Sequence, residues 1–156
     1  IGGRLPPKSV SKIIEPLQSL GYQVRIAHRA FDRLLAARLA PFGLKAGYWY
    51  YLRVLWLREG LTQKELGDAI NVKENTTVAM ILGMEKDGLL TRKRDEIDRR
   101  KMCVYLTPKG RDLEKKLMHI APEINEAATK GISKRELEKC LMVLHHVSEN
   151  LQTIDF

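Results

Sequence analysis

Apolar residues between positions 17 and 39 recur at Leu17, Leu20, Val24, Ala27, Phe31, Leu34, Leu35 and Leu39, in steps of three and four. That period predicts an amphipathic helix, and Pro41 with Gly43 marks its end. A second helix is predicted from about Lys45 to Arg58, stopping at Gly60. Thr62-Gln63-Lys64-Glu65 reads as a capping box: the threonine hydroxyl takes one orphan amide and the glutamate reaches back to another. It opens a third helix that should reach about Ile70. After Asn71-Val72 a fourth helix is predicted from about Glu74 to Asp87, closed by Gly88 in a left-handed cap.

The period then drops to two. Met102, Val104 and Leu106 fall on one face, so strands near 89–94 and 101–106 should form a hairpin around a charged tip. Thr107-Pro108 opens a fifth helix, with proline where a missing N–H costs nothing. It should run to about Lys130, interrupted or kinked by Pro122. Ser133 to Glu136 is a second capping box, and it starts a last helix with the stripe Leu137, Leu141, Leu144, Val147 or Ser148, and Leu151. The order is four helices, a hairpin and two helices, which is a mainly α chain with a small β-hairpin.

Composition narrows the class. The chain has 156 residues, one ordinary domain's worth, with 44% hydrophobic and 29% charged residues. The net charge is +8 and the pI is near 9.6, a balance that favours polyanions, nucleic acid before anionic membrane. The charge is unevenly placed: +5 over residues 25–60 and +5 over 92–111, but −2 over 61–91. The densest stretch, Arg92 to Lys101, holds six cations and three anions. No apolar run approaches the ~20 residues of a membrane span and no signal-peptide pattern opens the chain, so a membrane partner is not expected. Two cysteines, Cys103 and Cys140, fit a reducing cytoplasm better than a disulfide framework. The four histidines match no metal-ligand spacing, and neither a phosphate loop, a nucleophile elbow nor a carboxylate pair appears. An enzyme is not expected, nor a cofactor.

Two short helices joined by a tight turn and followed by a basic hairpin make the plan of a winged helix-turn-helix. The second helix of the pair (about 74–87) would read the major groove, where base edges are distinguishable, and the hairpin would lie along the backbone. The residues that fill this plan are Leu61-Thr62-Gln63-Lys64-Glu65-Leu66, Thr76 to Val78, and Met84-Glu85-Lys86-Asp87-Gly88-Leu89-Leu90. They continue with Asp98-Arg99-Arg100-Lys101 and Val104-Tyr105-Leu106-Thr107-Pro108-Lys109-Gly110, with Gly43-Leu44, Trp49 and Leu52 upstream. In order and spacing over roughly residues 20–120, they resemble the multiple-antibiotic-resistance-regulator (MarR) family of bacterial transcription factors.

The resemblance implies a homodimer on a near-palindromic double-stranded operator, cytoplasmic, most often a repressor, and released by a small molecule. A helical dimerisation region is expected from residues 1–40 with 108–156, and the winged helix-turn-helix from 41–107. Asp98 and Arg100 match the family's wing motif, in which the arginine enters the minor groove and the aspartate holds it. Reader contacts would fall on Lys73, Asn75, Thr76 and Thr77; Thr62 and Gln63 begin the positioning helix, and Arg94, Arg99 and Lys101 complete the wing's candidate set. This chain departs from many relatives in carrying Lys73 in place of a serine cap and Ala79 in place of a reader arginine. The rival class is a winged-helix protein-interaction module without sequence-specific DNA binding.

Five of the ten aromatic residues fall between Tyr48 and Trp56. Trp49, Leu52 and Trp56 step as core residues do, whereas Tyr48 and Tyr51 need hydrogen-bond partners if buried. Arg25, His28, Arg29 and Asp32 form a polar stripe on the first helix. In the resembled family effectors bind between these helices and the fifth. Arg25, His28, Arg29, Tyr48, Trp49, Tyr51 and Leu52 are thus candidate ligand residues, suited to a small aromatic carboxylate or phenol. Against this stands an ordinary solvated face for the first-helix stripe. Buried or incidental thiols are the expectation for Cys103 and Cys140.

Overall fold

The computed structural model describes residues 15–154 of the chain. Seven α-helices and three short strands follow in the order α1 (Leu20–Leu39), α2 (Ala46–Leu57), β1 (Leu61–Thr62), α3 (Gln63–Ala69), α4 (Glu74–Lys86), β2 (Leu90–Arg94), β3 (Met102–Leu106), α5 (Pro108–Leu117), α6 (Ile120–Ala128) and α7 (Lys134–Gln152). Both predicted capping boxes form: the Thr62 hydroxyl accepts from the Glu65 amide, and that of Ser133 from the Glu136 amide. Gly88 closes α4 at φ 72°, the left-handed conformation glycine adopts without steric cost.

The expected hairpin forms with one further strand added to it, and the fifth helix is interrupted near Pro122. The sheet has three strands in the order β1-β3-β2, all antiparallel, with Leu61 opposite Val104 and Leu90 opposite Leu106. A two-residue strand is too short to show any alternation, so β1 left no signal in the sequence. Cys103 is buried as well as Val104 and Leu106, because the face it occupies is also covered. The fifth helix is two helices, and the break at Met118-His119 lies one turn before Pro122. A proline ring crowds the carbonyl four residues earlier and offers it no N–H, so the ladder fails there rather than at the proline itself.

The described chain divides into two compact units, one of residues up to His28 with those from Glu123 on, the other of Arg29–Pro122. The second unit holds the sheet, α2 to α5 and most of the buried core. Tyr48, Trp49, Tyr51, Leu52 and Leu55 of α2 are buried, as are Leu66 of α3, Ile81 and Met84 of α4, and Leu113 and Leu117 of α5. Two close approaches fix its geometry. A Cβ on Gly67 would stand 2.6 Å from Thr77 Oγ1, so only glycine lets α3 and α4 pack this tightly. A Cβ on Gly110 would run into the Leu89 carbonyl oxygen, which brings the start of α5 against the start of the wing. In the first unit α7 buries no residue at all, and Leu141, Met142, Leu144 and Leu151 are exposed.

Candidate nucleic-acid interface

The α3–α4 pair meets at a tight turn in which Asn71 takes φ 55°, a left-handed value that asparagine tolerates better than most residues. Lys73, Asn75 and Thr76 are exposed around the first turn of α4. Lys73 is the N-cap but gives no side-chain hydrogen bond to the helix, which leaves the first turn of α4 without a side-chain cap. The positive end of the helix dipole at that turn favours an anion.

Thr77 does not belong to this surface. It is fully buried and accepts a hydrogen bond from the Tyr51 hydroxyl at 3.2 Å. One residue beyond Thr76 on a helix turns ~100°, enough to move it from the outer to the inner face. Thr62 is half-buried and committed to its cap, donating to Glu65 Oε2 at 2.9 Å and accepting from the Glu65 amide. Glu65 is consequently held below the usual carboxylate range, first by the Thr62 backbone amide and then by its hydroxyl. Gln63 is half-buried, and its side-chain carbonyl accepts from Arg92 at 3.4 Å.

The wing tip is an ordered turn rather than a slack loop. Asp95 Oδ1 accepts from the amides of Ile97 and Asp98 at 2.9 and 2.8 Å, which holds the Asp95 carboxyl below its ordinary range. Across the tip the Asp95 amide donates to the Lys101 carbonyl, and the Lys101 amide to the Asp98 carbonyl. Asp98 Oδ1 takes both the backbone amide of Arg100 at 3.1 Å and its Nε at 3.2 Å. The Arg100 side chain is nonetheless 92% exposed, so the aspartate fixes the root of a guanidinium that projects outward. Arg94 donates to the Arg99 carbonyl at 3.0 Å and braces the turn from the β2 side. Arg99 and Lys101 are exposed. The Cys103 thiol below is buried, which together with the Asp95 carboxylate 3.9 Å away raises its pKa.

The tyrosines expected to line an effector pocket are core residues. Tyr48 is buried and donates to Asp87 at 3.0 Å; burial, with that hydrogen bond, raises its pKa. Tyr51 is spent on Thr77, and Leu52 is fully buried. Arg25 and His28 are exposed residues of the first unit, and Arg29 is an exposed residue of the second. Trp49 of the expected set borders a cavity. It lies with Arg53, Trp56, Leu57, Glu114, Met118, Ala121 and Pro122 around an open groove of about 250 Å³ between α2 and the α5–α6 segment. The two tryptophans meet edge to face at 5.8 Å, and the Arg53 guanidinium lies 5.9 Å from the Trp49 ring. The Trp56 indole donates to the Gly110 carbonyl at 3.0 Å, which ties the groove's floor to the start of α5. Sequence reasoning missed Arg53, although it stands one turn after Trp49 in the same stripe.

Comparison with known proteins agrees with this architecture. A sequence profile described as the MarR family matches residues 45–102. The chain is 34% identical over 103 residues to an organic hydroperoxide resistance transcriptional regulator of Bacillus subtilis, covering 64% of this chain and 67% of that protein. It is 33% identical over 115 residues to the HTH-type transcriptional regulator TtmR of Methylorubrum extorquens, covering 74% of this chain but only 56% of that protein's length. Among solved structures, a MarR transcriptional regulator from Methanosarcina mazei Go1 is similar with a TM-score of 0.75 and 28% identity, covering 84% of this chain and 94% of that one.

Proposed function

On the premise that this chain belongs to the MarR family of DNA-binding transcriptional regulators, we propose that it is a ligand-released repressor acting as a homodimer on a near-palindromic operator in the cytoplasm. The observation that carries the reading is the wing tip: a guanidinium 92% exposed, rooted by an aspartate 3.2 Å away on an ordered turn. Such an arginine can enter a narrow minor groove, where the potential is most negative, without first losing its side-chain freedom. Lys73, Asn75 and Thr76, at the start of α4, are the reader set in this proposal. Thr77 is removed from it. With no arginine in that set, Lys73 is the cation left for guanine, and asparagine and threonine methyl contacts carry the rest of the direct readout.

The dimerisation region is proposed from residues 1–40 with 108–156. Its support is α7, which is long and amphipathic, has no fully buried residue and leaves Leu141, Leu144 and Leu151 exposed. An apolar stripe with Leu141, Leu144 and Leu151 in water calls for a second surface. Two reading helices must then sit about 34 Å apart to occupy successive major grooves. The experiment is selection of bound duplexes from a randomised pool. The expected product is a near-palindrome with half-sites one helical turn apart; a pool that emerges unenriched would remove the reading.

For the effector we propose a small aromatic carboxylate in the groove beside Trp49. Two tryptophan rings offer stacking surface and Arg53 offers a partner for the anion. A ligand there shifts DNA affinity only by its differential affinity for the bound and released states. Calorimetric titration with benzoate and cinnamate tests this. Heat with release of DNA is expected; its absence for both acids would end the effector proposal while leaving DNA binding untouched.

A further inference from the structure

Arg92 lies at the root of the wing, and its guanidinium is turned away from the tip. Its Nε and Nη2 both meet Glu85 Oε2 at 2.9 Å, and Nη1 reaches Gln63 Oε1 at 3.4 Å. The other carboxylate oxygen of Glu85 accepts the Arg92 backbone amide at 3.3 Å. Both charged side chains are substantially screened from solvent, 25% exposed for Arg92 and 33% for Glu85. Three elements therefore converge on one guanidinium: β2 carries it, α4 supplies Glu85 from its last turn, and α3 supplies Gln63 as its first residue.

The arrangement has a mechanical consequence. β2 is an edge strand, since the sheet runs β1-β3-β2, and an edge strand leaves outward amides for another group to satisfy. Glu85 takes one such amide together with the guanidinium on the same strand, so the wing's root is anchored to the reading helix at backbone and side chain alike. Charge-assisted bonds of this multiplicity, partly shielded from water, hold an orientation far better than a surface ion pair does. Resting on the DNA-binding reading above, we propose that Arg92 is a positioning residue. With Glu85 and Gln63 it sets the angle between wing and reading helix, so that Arg100 and the α4 N-terminus meet one duplex together. Joining two contacts rigidly makes the second effectively intramolecular; loosening the joint costs affinity even though no contact with DNA is removed.

Glu85→Gln and Arg92→Gln distinguish this from electrostatics. The probe is the duplex that the wild-type protein selects from a randomised pool, with a scrambled duplex as control, titrated over a salt series. Removing an anion at Glu85 should strengthen binding if only charge mattered; the brace predicts instead about tenfold weaker binding to the selected duplex and little change on the scrambled one. Arg92→Gln should weaken selected-duplex binding similarly while leaving the slope of log K against log salt as in wild type. A phosphate-contacting cation would lower that slope by about 0.9. The exchanged pair, Glu85→Arg with Arg92→Glu, should recover only the side-chain share of the loss, because an arginine at position 85 cannot accept the backbone amide of residue 92, and unchanged thermal midpoints separate positioning from unfolding. Glu85→Gln binding as tightly as wild type, or a reduced slope in Arg92→Gln, overturns the inference. Should the wild-type protein select no duplex, the DNA-binding reading itself fails. The brace then stands or falls on whether Arg92→Gln accelerates amide exchange across β2 and β3.

Discussion

Thr77 sits one residue after an exposed threonine on the reading helix, yet its hydroxyl is held inside by Tyr51 and pressed against Gly67. A side chain on Gly67 would meet both that hydroxyl and, at 3.1 Å, the Val72 carbonyl, so Gly67→Ala should destabilise the second unit by about 1–3 kcal/mol in urea unfolding. Tyr51→Phe leaves the buried threonine without its donor and should cost about 1–2 kcal/mol in the same assay. Unfolding midpoints equal to wild type for both would mean that the α3–α4 and α2–α4 contacts are not as tight as described. Which threonine is exposed was not legible in the sequence, because α4 carries small polar residues on its outer and inner faces alike. Only the position of α2 distinguishes them. Tyr48 and Tyr51 misled for a related reason: a phenol reads as a ligand group or a core group until its partner is known, and here the partners are Asp87 and Thr77. Cys103 is a further case. Its burial and raised pKa predict that a disulfide-exchange reagent reaches Cys103 only on unfolding. Rapid labelling of Cys103 in the native protein would contradict the described packing of β3.

The wing was readable as an element from the alternation at Met102, Val104 and Leu106, and its charged tip from composition. Its internal order was not: Asp95 organises the turn through backbone amides, and a run of mixed charge does not reveal which acid does so. Asp95→Ala should release the Ile97 and Asp98 amides to fast hydrogen exchange while leaving α3 and α4 protected; equal protection in the variant would remove Asp95 from that role. Asp95, Glu65 and Glu136 all have folded-state values depressed by hydrogen bonds to their ionised forms. Their contributions are therefore complete above the ordinary carboxylate pKa of about 4 and vanish as pH falls through the lower folded values. Acidification from pH 5 to pH 3 should fray the wing tip and the starts of α3 and α7, read as loss of amide protection at those three places first. The capping boxes were legible because four adjacent residues specify them completely. The break near Pro122 was announced by the proline itself, whereas the short β1 depends on a partner strand that no local pattern displays.

For the whole molecule, the charge of +8 pointed to a polyanion, and its division into blocks separated the wing from the helices before it. The wing block now divides further. Arg100, Arg99 and Lys101 are exposed, whereas Arg92 is spent on Glu85 and Arg94 on the Arg99 carbonyl. The proposed dimer belongs to the same scale, because its support is α7, where Leu141 and Leu144 are exposed and no residue is fully buried. Leu141→Glu combined with Leu144→Glu should leave a folded monomer in sedimentation that no longer binds the selected duplex; a dimer of normal affinity would remove α7 from the interface. In the function proposed above, the wing holds DNA through Arg100. The most direct measurement is the salt dependence of duplex binding for the wild-type chain and for Arg100→Ala. The wild type should lose affinity steeply as salt rises. The variant should bind at least tenfold more weakly at every salt concentration, with a slope shallower by about 0.9. Equal affinity and equal slope in the two proteins would contradict the account.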